Sequence, residues 1–75
     1  MAILDVRDDL RQGREPFTRI MQTVDGLGPD ESLELVAPFE PAPLYMVMER
    51  RGFSHHAEQT PDGDWRVVFS REKGD

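Results

Sequence analysis

The chain predicts an α/β (α+β) two-layer sandwich of order β-α-β-α-β-β, a four-stranded mixed sheet with two helices on one face, on three observations. Apolar and polar residues alternate near both ends of the chain, two internal segments carry apolar residues at helical spacing, and an Asp-Gly pair separates the last two alternating runs. Together they give a βαβ unit, a second helix and a closing hairpin.

Leu4 and Val6 alternate with Asp5 and Arg7, the period of a strand that buries one face, so residues 3–7 form the first strand. Asp8 to Arg14 is a charged, Gly-containing connection. Pro16 then sits where a helix tolerates proline, beside a Glu15 that suits the positive end of the helix dipole. Phe17, Ile20, Met21, Val24 and Leu27 follow at helical spacing. The first helix therefore runs to about Asp25 and ends in the breaker cluster Gly26, Gly28, Pro29.

Ser32 to Ala37 alternates again, with Leu33, Leu35 and Ala37 on one face and Glu34 and Val36 on the other. Pro38, Pro41 and Pro43 punctuate the next connection. Leu44, Val47 and Met48 give the stripe of a second helix, which closes on Glu49-Arg50-Arg51 with Gly52 as its left-handed cap. Two strands remain, Phe53 to Gln59 and Asp64 to Ser70, joined by a hairpin over Thr60-Pro61-Asp62-Gly63. The helix-covered face draws on Leu4, Val6, Leu33, Leu35, Trp65, Val67 and Phe69. Asp5, Arg7, Glu34, Arg66 and Ser70 face water, with Val36 and Val68 as the apolar exceptions on the open side. Met21, Tyr45 and Met48 are read as gap-filling core, and Met46 as the methionine nearest to solvent.

The 75 residues make a single domain, 1–75, with a frayed tail over 70–75. A chain this short buries only about 60% of the surface it exposes when unfolded, so its stability is modest. It has no cysteine, which removes disulfides, thiolate metal sites and thiol chemistry, and a reducing cytoplasm is the simple expectation. Charges fill the first fifteen residues where a signal peptide needs an apolar stretch, and the longest apolar run, Leu44 to Met48, is far short of a membrane span. The net charge of −6 repels phosphate backbones, so neither nucleic acid nor membrane is an expected partner.

Asp5-Val6-Arg7, Glu15-Pro16 opening a helix, and the β-α-β-β remainder resemble the TusA/SirA-like sulfur-carrier superfamily over nearly the whole chain. Gly13-Arg14-Glu15-Pro16-Phe17 and Ala37-Pro38-Phe39-Glu40-Pro41 look similar to an uncharacterised bacterial branch of it, a domain of unknown function. In the sulfur carriers a Cys-Pro-x-Pro motif begins the first helix, and its cysteine carries a persulfide. Aligning Glu15-Pro16 with the last two positions of that motif puts Gly13 where cysteine should be and Arg14 where proline should be, in a loop about two residues longer. The resemblance therefore implies the fold and a retained binding or docking surface, without sulfur transfer.

Three constellations compete for function. Arg7, Arg11 and Arg14 surround the first helix start, where guanidinium forks and free N–H groups suit a carboxylate or phosphate; the same arginines also stand next to Asp5, Asp8, Asp9 and Glu15, which would neutralise them. His55 and His56 are adjacent on a strand and point to opposite faces. His56 and Glu58 share a face but make only two ligands, so a metal would need a third from Asp5, Glu34 or a second copy. Phe39 sits in a rigid Pro-rich loop, either docking a partner over a pocket between the two helix N-termini or packed down as a staple. Ser32, Ser54 and Ser70 have no evident activating base, and Asp8 and Asp9 lie in an exposed loop, so hydrolysis is not expected.

The expected function is that of a non-catalytic binding domain for a partner protein or small anionic ligand, with Arg7, Arg14, Glu15 and Phe39 at its site and no cofactor. The alternative is a metal-dependent accessory protein or enzyme using His55, His56 and Glu58 across a dimer. A weak homodimer is expected over a strict monomer.

Overall fold

The computed structural model describes residues 1–71 and has the expected architecture, a mixed four-stranded sheet covered on one side by helices. The elements are β1 (Ala2–Asp5), α1 (Arg7–Arg11), α2 (Phe17–Asp25), β2 (Leu33–Ala37), α3 (Ala42–Arg50), β3 (Phe53–Gln59) and β4 (Trp65–Arg71). The strand order is β1-β2-β4-β3; β1 runs parallel to β2, and β4 is antiparallel to both of its neighbours. The last strand thus inserts between β2 and β3, the gap that the α3 crossover leaves.

Register follows from the apolar alternation. Leu4 pairs with Leu35 and Leu35 with Val67, while Leu33 pairs with Phe69, so one face of the sheet carries a continuous apolar surface. Ile20, Met21 and Val24 of α2 and Leu44 and Met48 of α3 close over it, joined by Leu27 and Phe53. Phe69, Leu33, Leu35 and Val67 have no solvent exposure at all. Trp65 stands opposite Ala37 on that same face, half-buried at its end. On the open side Val36 and Val68 are half-buried, and Ile3, 68% exposed, adds a third apolar residue to them. Met46 is exposed, Met21 and Met48 are buried, and Tyr45 is half-buried.

Several boundaries and one element differ from the sequence reading. The first strand is Ala2–Asp5 rather than 3–7, because the chain turns at Val6 into α1, a five-residue helix within the stretch read as a charged connection. This helix carries Asp8 and Asp9 in its first turn and Arg11 in its last, charges that suit its dipole. It ends in a Schellman motif: Gly13 N–H donates to the Leu10 carbonyl at 3.2 Å and Arg14 N–H to the Asp9 carbonyl at 2.8 Å. Gly13 has φ of 74°, the left-handed conformation this cap requires. One turn of helix with a single inward apolar residue, Leu10, offers no periodicity to detect.

Phe17, read as part of the buried stripe, is 46% exposed because it stands at the first position of α2 and faces outward. Pro43 lies inside the first turn of α3 rather than before it, where its missing N–H costs nothing. The hairpin strands run to Gln59 and from Trp65, with Gly63 N–H donating to the Thr60 carbonyl and φ of 86° at Gly63. Ser70 and Arg71 belong to β4 instead of a frayed tail, and the rest of that expected tail, 72–75, lies outside the described residues.

Two substitutions test this packing by urea denaturation. Phe69→Ala, which empties the fully enclosed centre, is expected to lose about 3–5 kcal/mol. Gly13→Ala is expected to lose about 1–2 kcal/mol through the left-handed backbone alone, since no atom lies within 4 Å of the added Cβ.

Candidate functional site

β1 and β2 are parallel, so their carboxyl ends lie at one edge of the molecule, and the segments leading into α2 and α3 leave from there. Between those segments lies a groove of about 330 Å³. Val6, Ile20, Leu35 and Leu44, all buried, contribute to its apolar lining. One wall comes from Leu10 of α1 and from Glu15-Pro16-Phe17 at the start of α2. The opposite wall comes from Phe39 and Pro41 of the β2–α3 loop and from Pro43 and Val47 of α3. Three of the lining residues are prolines, Pro16, Pro41 and Pro43, each with a fixed φ.

Phe39 is 52% exposed at this rim and is not packed down as a buried staple. Glu15 and Phe39, singled out separately in the sequence, therefore line the same groove. The Glu15 carboxylate accepts a hydrogen bond from the Phe17 N–H, so the protein supplies its own anion to the start of α2.

The arginines do not converge on that helix start. Arg7 chelates Asp5, at 2.6 Å, and reaches Asp64 at 2.9 Å, with Arg11 at 3.6 Å from the other Asp64 oxygen. Arg14 and Arg19 share Asp9 at 3.1 and 2.6 Å. Two aspartates thus each hold two guanidinium groups, tying α1 to the β3–β4 turn on one side and to α2 on the other. Hydrogen bonds from Arg19, and secondarily Arg14, hold the Asp9 carboxyl below the ordinary carboxylate range. Arg7 lowers Asp5 likewise, and hydrogen bonds from Arg7 to Asp5 and Asp64 push its guanidinium above the usual arginine value.

The histidines lie away from the groove rim and apart from each other. His55 is on the helix-covered side of β3, its ring stacked on Tyr45 at 3.8 Å and 9°. His56 is opposite Val68 on the open face. Glu58 lies 3.8 Å from Arg66, and among the described residues no group of three or more His, Cys, Asp or Glu side chains is placed to hold a metal ion. Tyr45 donates to Glu40 at 3.2 Å; burial, and then the Glu40 charge, raise its phenol above the ordinary value. The sheet gathers the three serines into one row. Ser32 and Ser70 hydroxyls are 3.1 Å apart and Ser54 donates to the Ser70 carbonyl, with no hydrogen bond to a histidine or carboxylate among the described residues.

A family model described as uncharacterized conserved protein (DUF2249) matches residues 3–71, from β1 to the end of β4. The chain belongs to this family. The matched span includes both walls of the groove and both aspartate clamps. No curated protein and no solved structure matches the chain. Among the described residues no helix is long and apolar enough to cross a membrane.

Sequence reasoning found Glu15 and Phe39 but missed Leu10, Phe17 and Val47 as groove residues. The prolines at 16, 41 and 43 were the available signal, since they mark two rigid entries that the βαβ unit brings to one edge.

The aspartate clamps fix the sign of the acid response. Asp9 and Asp5 have depressed values in the fold, so they stabilise it at pH above the unfolded carboxylate value of about 3.9 and lose that contribution as pH falls through their lower folded values. The melting temperature is expected to fall as pH drops below about 4. Asp9→Asn is expected to flatten that acid limb, as read by thermal scans from pH 7 downwards.

Proposed function

We propose that this protein is a non-catalytic binding domain that takes an apolar side chain of a partner protein into the groove between the starts of α2 and α3. The carrying observation is the half-exposed Phe39 over an apolar groove, with Phe17 exposed on the facing wall. Burying two aromatic rims and a ready-made apolar floor removes nonpolar surface from water without reorganising the backbone, which favours docking. A volume of about 330 Å³ is at the lower end of the range for ligand sites, about 300–1,000 Å³, and suits a side chain or short segment. The almost wholly apolar lining, and the carboxylate already capping α2, favour this partner over a small anion.

The fold is read as a relative of the TusA/SirA-like sulfur carriers, in a bacterial branch without the thiol. Support comes from the β-α-β-α-β-β order of the main elements and from the Glu15-Pro16 helix entry. Gly13 replaces the sulfur nucleophile, so the surface that would present a persulfide is left for recognition alone. The compartment proposed is the cytoplasm, in keeping with a cysteine-free composition.

Methyl and amide NMR of the protein titrated with the capped tripeptide Gly-Phe-Gly tests the groove. Saturable shifts confined to Leu10, Ile20, Leu44 and Val47 are expected, and Phe39→Ala is expected to weaken them at least about fivefold, as for an aromatic anchor in an interface. A charge placed in the wall by Val47→Asp should abolish them with the fold intact. Shifts centred elsewhere, or unaffected by both substitutions, would remove the groove from the function.

A further inference from the structure

We propose that the free edge of β3 pairs antiparallel with the β3 of a second copy of this chain, in a register that sets His56 of each copy opposite Glu58 of the other. No residue of β3 lines the groove, so this surface is separate from the one that takes up a partner's side chain.

β3 closes one end of the strand order, and among the described residues no strand pairs with its outer side. Natural edge strands are ordinarily blunted by brevity, proline, lysine or a bulge. β3 has none of these. It runs for seven residues, Phe53–Gln59, contains neither proline nor lysine, and matches β4 one for one from Phe53 opposite Arg71 to Gln59 opposite Trp65. Ser54, His55, His56, Glu58 and Gln59 are exposed. The other edge, β1, has only four residues.

The hairpin shows which backbone groups face outward. Thr60 N–H donates to the Asp64 carbonyl at 2.7 Å, which makes Thr60 and Asp64 a hydrogen-bonded pair. Alternation along the ladder then turns the N–H and C=O groups of Glu58, His56 and Ser54 toward β4 and leaves those of His55, Ala57 and Gln59 pointing away from it.

A second copy meets these groups about a two-fold axis at Ala57. His55 then exchanges hydrogen bonds with Gln59 of the other copy, and Ala57 with its own equivalent. His56 and Glu58 fall opposite each other in the closely spaced pairs between, on the open face of both sheets. An imidazole N–H can donate to a carboxylate in either charge state, and the two-fold makes the pair twice. Arg66 stands 3.8 Å from Glu58, beyond hydrogen-bonding distance, so the carboxylate can accept. An axis at His55 or His56 would set identical imidazoles face to face and lose both pairs.

Sedimentation of the whole chain at about 0.15 M salt, where repulsion between two copies of net charge −6 is screened beyond about 8 Å, tests the pairing. Monomer–dimer exchange is expected at protein concentrations up to about 1 mM, with amide hydrogen exchange at His55, Ala57 and Gln59 slowing as concentration rises. His56→Glu opposes carboxylates on both sides of the axis and is expected to weaken the dimer about fourfold or more, at about twofold for each cross-strand pair. Exchanging the two residues, His56→Glu with Glu58→His, is expected to restore it. Ala57→Pro removes an outward N–H and none of the inner ladder, so it should leave a folded monomer. If Ala57→Pro fails to fold, the two charge variants decide alone. A chain monomeric throughout that range, a dimer that His56→Glu leaves unweakened, or an exchange variant no tighter than His56→Glu would each overturn the inference. So would slowing of the three amides only when a different extended peptide is added, which would give the edge another partner.

Discussion

Every other feature depends on the sheet having only one buried face. Leu35 and Val67 are cross-strand partners with no exposure, and Leu4 extends their row into β1. A slip of one residue in β2 would send Leu33, Leu35 and Ala37 to the open side and bring Glu34 and Val36 beneath the helices. That penalty pins the register of the whole sheet. It also means that α2 and α3 must cover one surface side by side, and that the segments feeding them start from the same edge.

The groove is a consequence of that arrangement. α2 and α3 each begin after a proline, at Pro16 and Pro41, whose φ angles are fixed, and the groove lies between these two entries. Leu10 and Val47 are left half-buried, and Phe17 and Phe39 exposed, because no further element of the described chain covers that corner. The aspartate clamps are the polar counterpart of the apolar core. Asp64 comes from the hairpin, 57 positions beyond Arg7, and fastens α1 against the far end of the chain. Surface ion pairs taken singly add little, but one carboxylate shared by two guanidinium groups restrains a helix too short to hold itself.

The parts of the fold legible in the sequence were those written in local repetition. Leu33, Leu35 and Ala37 define a strand by alternation, Ile20, Met21 and Val24 define a helix by spacing, and Gly52 and Gly63 adopt the positive φ their turns require. α1 was not legible, since Leu10 alone makes no pattern and Gly13 was indistinguishable from a loop glycine until its capping bonds were seen. Phe17 was misplaced for a related reason: it falls on the helical stripe, but it stands at the first position of α2, ahead of the buried residues Ile20, Met21 and Val24. Of the candidate site, Glu15 and Phe39 stood out by chemistry, whereas the partners of Arg7 and Arg14 were hidden. The pull of Asp64 on Arg7 depends on β4 inserting beside β2, and a linear reading of charges cannot supply that.

Gly13 sets the backbone of the junction between α1 and α2. It lies three residues before Pro16, inside the Schellman cap that ends α1, and its left-handed backbone is one that a side-chain-bearing residue adopts only at a cost. The free N–H groups of a helix start belong to the first turn of α2, and Glu15 already serves one of them. The junction is therefore built around a capped helical turn and an internal carboxylate. What that arrangement leaves accessible is the apolar surface beside it, formed by Leu10 of α1 and by Phe39 from across the groove.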